Sequence, residues 1–142
     1  MMGHTMNWAS VLSAAVASWI FGAIYYTTLG KKWMAAQGKT EESCKAEFAA
    51  KSGLAKFMPF LLSFIGAVIM GVTLYGIMTH SGLWGVRAGA ISAAFCWFGF
   101  IVTTVVINNA YQGRKVMLSV IDLGHWLGVL LIIGGIVGWW GA

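Results

Sequence analysis

The sequence predicts an all-α, polytopic membrane protein: a single domain of four transmembrane helices in an up-down bundle, with both termini outside. Three observations predict it. The 142 residues are 59% hydrophobic and only 9% charged, whereas a soluble domain carries about a quarter charged residues. The apolar residues gather in four runs, at about 6–29, 54–78, 88–111 and 116–140, each long enough for the ~20 residues that a helix needs to cross a bilayer. The basic residues sit between those runs. Lys31, Lys32, Lys39, Lys45, Lys51 and Lys56 follow the first run, Arg114 and Lys115 precede the last, and Arg87 alone lies on the opposite side. The positive-inside rule therefore puts the first and third connections in the cytoplasm.

The same placement excludes a nucleic-acid protein despite the net charge of +5, because the cations mark the ends of apolar runs rather than a phosphate-binding stripe. Cys44 lies in a loop and Cys96 inside an apolar run, which gives no disulfide framework. No basic segment precedes the first run, and no convincing small-residue cleavage site follows it, so it reads as a retained span.

The first span carries Ala14, Ser18 and Gly22 at intervals of four, a small-residue seam for close helix packing. Tyr25-Tyr26 and then Gly30-Lys31-Lys32-Trp33 predict its end: glycine stops the helix, lysines complement its C-terminal dipole, and aromatics sit at the interface. In the loop at 30–53, Thr40 followed by Glu41 and Glu42 predicts an N-cap and a short surface helix from about Glu41 to Lys51.

The second span opens on Pro59, where a missing N–H costs little, and Gly66, Gly71 and Gly76 lighten it for packing. A short turn containing His80 and Gly82 leads to the third span. Gln112-Gly113-Arg114-Lys115 predicts a tight reversal, so the third and fourth spans form a hairpin with Asn108 and Asn109 near its closed end. Trp8, Trp84, Trp139 and Trp140 are expected in the outer aromatic belt, with Trp33, Tyr25, Tyr26 and Tyr111 in the inner one.

The fourth span holds Asp122 and His125. Counted from Lys115 at 1.5 Å per residue, they lie roughly 10 and 15 Å deep in the bilayer, where an acid faces a partner, a bundle interior or a wet cavity. They share one side of the helix with Gly124, Gly128 and Gly135, while Leu123, Trp126, Leu130, Ile133 and Val137 occupy the other. The small, polar side is expected to face protein and the bulky side lipid. Gly124-xxx-Gly128 and Gly134-xxx-Gly138 have the spacing that helix contacts favour. Asn108 and Asn109 are the nearest expected partners of Asp122, and Tyr25, Tyr26 and His125 complete the candidate polar site.

Several short motifs carry a family likeness: Asn7-Trp8, Gly22 with Tyr25-Tyr26, Gly30-Lys31 with Trp33-Met34, Trp97-Phe98-Gly99-Phe100, Tyr111-Gln112-Gly113-Arg114 and Ile121-Asp122-Leu123-Gly124. On these the chain resembles the bacterial DUF1761 family of four-helix membrane proteins over nearly its whole length. The resemblance implies a four-span fold in a bacterial inner membrane and supplies no activity. The family more often has Tyr at the place of His125, typically Trp-Tyr at Tyr25-Tyr26, and an acid at Gln112. Asp122 therefore carries over better than His125.

Two functions follow as expectations. In the first, the protein is a small oligomeric transporter or channel component with Asp122 as the proton, cation or substrate site. In the second, it is a structural or accessory subunit whose polar residues only lock helices. Minor alternatives are a tetrapyrrole ligated by His125, with Gly124 and Gly128 making room, and a copper site gathering Met1, Met2, His4, Met6, Met78 and His80. No nucleotide loop, zinc spacing or catalytic carboxylate pair occurs, so the protein is not expected to be an enzyme. Four helices enclose little interior, and a homo-oligomer or a subunit of a larger complex is expected.

Overall fold

The structure is a computed structural model and describes residues 5–142. Among these residues it is all-helical, with no strand and with four helices long and apolar enough to cross a membrane.

Helix α1 (Trp8–Ala36) starts at Asn7, whose side chain accepts from the Ser10 N–H. It runs past the expected stop at Gly30-Lys31-Lys32 and ends at Gly38, which adopts a left-handed φ of +74°. An interior glycine costs about 0.5–1 kcal/mol; here the added two turns seat Trp33 and Ala36 against Leu118 and Ile121, which favours continuing.

Helix α2 (Glu41–Ala50) has the expected cap. The Thr40 hydroxyl accepts from the Ser43 N–H, and the Ser43 hydroxyl accepts from the Thr40 N–H, a reciprocal capping box. None of its residues is buried. A 3-10 turn, Gly53–Lys56, delays the second long helix, α3 (Met58–Ser81), which has Pro59 in its first turn and left-handed Gly82 as its C-cap.

The third span is not one uniform helix. Helix α4 (Val86–Cys96) passes through a π-helical turn, Trp97–Val102, into α5 (Thr103–Tyr111). A π turn displaces backbone hydrogen bonds by one residue, and the Thr103 hydroxyl donates back to the Gly99 and Phe100 carbonyls there. After the reversal at Gly113 (φ +63°), α6 runs from Val116 to Trp140.

Helix α6 lies at the centre, against α1, α3 and α4. It runs antiparallel to α1: Asn7 donates to the Trp140 carbonyl at one end, and Tyr25 donates to the Ile121 carbonyl toward the other. It meets α4 backbone to backbone, with Gly134 on Gly89 and Gly138 on Gly85, whose N–H donates to the Gly138 carbonyl at 2.8 Å. Gly71 of α3 packs on Val11 of α1.

The core includes Val11, Ala14 and Ala15 of α1, Leu74 and Met78 of α3, Ala93 of α4, and Ile133 and Val137 of α6. Leu130, Ile133 and Val137, on the side whose bulk suits lipid, are buried because α6 is covered on both sides. Gly134, and not the expected Gly135, meets α4. Gly135 has nothing within 4 Å of where a side chain would begin, as do Gly66 and Gly76.

Candidate functional site

The site forms where the C-terminal half of α1 crosses the N-terminal half of α6. Tyr26 and Trp33 are seven residues apart, two helical turns on one stripe of α1, and both reach Asp122. The Tyr26 hydroxyl donates to Asp122 Oδ1 at 2.7 Å, and the Trp33 indole N–H donates to the same oxygen at 3.0 Å. Two donors on one oxygen offset much of the cost of holding a carboxylate among apolar side chains. Tyr25 points beside them to the Ile121 carbonyl at 2.7 Å, which fixes the backbone of α6 one residue before the acid.

His125 lies one turn on, in a nest of rings. Its imidazole centre is 4.7 Å from Tyr26, 4.8 Å from Trp126, 5.7 Å from Tyr25 and 6.3 Å from Phe21, the last stacked nearly parallel. Gly22 is required there, since a Cβ at that position would stand 2.9 Å from His125 Nε2. The other ring nitrogen, Nδ1, is buried without a hydrogen-bond partner. Buried polar atoms are nearly always paired, so an orphan calls for a reason.

Beside this nest lies a cavity of about 680 Å³ between α1, α3 and α6. From α1 it is walled by Ser18, Trp19, Gly22, Ala23, Tyr26, Thr27 and Trp33; from α3 by Pro59, Phe60, Ser63 and Ala67; from α6 by His125, Trp126 and Val129. Trp19 ties the first two walls together, donating to Ser63 Oγ at 3.0 Å and to the Phe60 carbonyl at 3.2 Å. Asp122 is not part of the wall; it stands directly behind Tyr26 and Trp33.

The structure thus brings Asp122, His125, Tyr25 and Tyr26 together as the sequence pattern expected, and separates the two asparagines from them. Asn109 donates to the Ser119 hydroxyl at 2.9 Å, and Asn108 is exposed. The π turn lies upstream of both on the third span, and Ser119 is nearly one helical turn before Asp122. Tyr26 and Trp33 are turned toward the acid, and Tyr25 toward the backbone beside it.

Trp33 and Trp126 are the residues that sequence reasoning misplaced. The signal for Trp33 was its spacing from Tyr26, obscured by the expectation that α1 ends at Gly30. The tetrapyrrole alternative fails on space, since the Tyr25 hydroxyl occupies the room beside Gly124 and the Phe21 ring that beside Gly128. In the copper alternative, Met1, Met2 and His4 lie outside the described residues. Met78 is buried in the core while His80 is exposed, and no group of three or more His, Cys, Asp or Glu side chains that could hold a metal ion occurs among the described residues.

Four long apolar helices around a paired internal carboxylate define a multi-pass membrane protein. The chain matches the family model described as "Protein of unknown function (DUF1761)" over residues 9–138 and belongs to that family. No curated protein and no solved structure matches it.

Proposed function

We propose that this protein is a small transporter or channel component that binds and passes a cation or small solute at the cavity between α1, α3 and α6. The observation that carries this reading is the coupling of the cavity wall to an internal acid: Tyr26 and Trp33 both line the cavity and both donate to Asp122. Intramembrane ionisable residues mark ion and substrate pathways, and pockets with a few convergent polar groups mark binding sites. In this reading Asp122 supplies negative charge through two hydrogen-bonded rings rather than by direct contact.

The orientation that goes with it is an up-down bundle with both termini outside. It is supported by the basic residues of the first and third connections against Arg87 alone on the other side. A bacterial inner membrane and a homo-oligomeric assembly, or a place in a larger membrane complex, belong to the same proposal. The third span is the least buried of the four and offers the free face for such assembly.

A structural role is the second reading. It is favoured by the two hydrogen bonds that Tyr26 and Trp33 donate to Asp122, which link α6 to α1. Cysteine accessibility separates the two in a background carrying Cys44→Ser and Cys96→Ser. Ala23 lines the cavity, while its neighbour Ile24 faces outward at 61% exposure. In sealed proteoliposomes, Ala23→Cys is expected to react with a charged thiosulfonate reagent and Ile24→Cys is not. If neither reacts, the cavity is closed to aqueous solutes and the transport reading fails.

A further inference from the structure

The hydrogen-bond inventory of the cavity wall narrows what it accepts. Six of its side chains carry a donor that is already engaged. The hydroxyls of Ser18, Thr27 and Ser63 donate to carbonyls of their own helices. Trp19 donates to Ser63 and Phe60, and Tyr26 and Trp33 donate to Asp122. Apart from the Trp126 indole and the His125 imidazole, what the wall still offers is lone pairs and ring faces, with a carboxylate one hydrogen bond behind it. An anion or a carbonyl compound would find few donors. An ammonium group brings donors and positive charge to a wall short of both.

We propose, on the reading of this cavity as a solute site, that its ligand is a small organic cation: a protonated amine carrying an apolar group. The ammonium sits against the rings of Tyr26 and Trp33, which attract cations through their faces and are made more electron-rich by donating to Asp122. The apolar part lies toward Trp19, Phe60 and Val129. The cavity of about 680 Å³ is in the range of small-molecule sites and has room for an amine of one or two rings.

The test compares a probe with its neutral isostere on the full chain in nanodiscs. Benzyldimethylammonium and isobutylbenzene have the same shape and differ in charge. Binding is followed by tryptophan fluorescence, with Ala23→Phe, which adds a ring at the cavity wall, as the control for location. We expect saturable binding of the cation, at least tenfold tighter than that of the isostere and abolished by Ala23→Phe. Asp122→Asn should weaken the cation at least tenfold and leave isobutylbenzene unchanged. Trp33→Phe keeps the charge and should weaken the cation by a smaller factor, which guards against an Asp122→Asn protein that does not fold.

Equal affinity for cation and isostere, or a cation affinity indifferent to both Asp122→Asn and Trp33→Phe, would overturn the inference and leave the cavity as a neutral-solute site. Failure of both probes to bind saturably would overturn the inference and the solute-site reading together.

Discussion

The Tyr26 hydroxyl donates to the Asp122 carboxyl group at 2.7 Å, joining the wall of a cavity to an acid placed behind it. The same oxygen accepts from Trp33, so one acid on α6 organises two aromatic rings of α1 separated by two helical turns. Removing the hydroxyl alone therefore tests the linkage without removing the ring. Tyr26→Phe is expected to lower stability by about 1 kcal/mol, the order of a hydrogen bond between membrane helices. Unfolding in mixed detergent micelles measures it. A double-mutant cycle with Asp122→Asn should give a coupling of the same order.

Backbone contact between α4 and α6 gives a contrasting pair. A Cβ at Gly134 would collide with the Gly89 carbonyl, whereas Gly135 has nothing within 4 Å. Gly134→Ala is expected to cost about 1–3 kcal/mol by forcing the helices apart. Gly135→Ala is expected to be neutral or to gain up to about 1 kcal/mol from helix propensity. The same micelle unfolding experiment compares the two, and equal effects would contradict the packing described.

The imidazole of His125 is held in place by a missing side chain. Gly22→Ala would bring a methyl group to 2.9 Å from Nε2 and should displace the ring. Nitrogen NMR of selectively labelled histidine should show the His125 resonances moving. Gly76→Ala, where the added carbon meets nothing, should leave them in place.

Outside the spans, Lys39 and Glu47 form an ion pair at 2.9 Å that ties the end of α1 to α2. The hydrogen bond between them, and then their charges, hold the Glu47 carboxyl below the usual glutamate range and the Lys39 ammonium above the usual lysine range. The attraction is therefore fully present between the ordinary glutamate and lysine values. It is lost as pH falls through the lowered Glu47 value or rises through the raised Lys39 value. A carbon NMR titration should find Glu47 titrating below an ordinary glutamate, and Lys39→Ala should bring it back to that range.

Much of this fold is legible in local sequence. The four apolar runs, the Thr40 cap, Pro59 in a first turn and the reversals at Gly82 and Gly113 depend on neighbours a few residues away. The facing of α6 does not. Its periodicity divides small residues from bulky ones, but Ile133 and Val137 are buried because α3 and α4 happen to lie there. The extension of α1 through Gly30 is likewise decided by what Trp33 and Ala36 meet on α6. Asp122 and His125 were visible as site residues because ionisable groups are rare within apolar runs. Tyr25 and Tyr26 are legible beside them, but the nearest partner is not: Asn109 finds Ser119 within its own hairpin, whereas Tyr26 and Trp33 come from a helix 96 and 89 residues away in sequence.

Cation flux through purified protein in proteoliposomes tests the transport claim most directly. With a protonated benzylic amine outside and a pH-sensitive dye and potential-sensitive dye as readouts, wild-type protein is expected to carry the amine above the rate in empty vesicles. Asp122→Asn, shown by size-exclusion chromatography to be folded and reconstituted, is expected to fall to the empty-vesicle rate, and Asp122→Glu to retain part of the flux. A wild-type rate equal to that of empty vesicles, or one that a folded Asp122→Asn protein fully retains, would contradict the transport reading and leave Asp122 as a lock between α1 and α6.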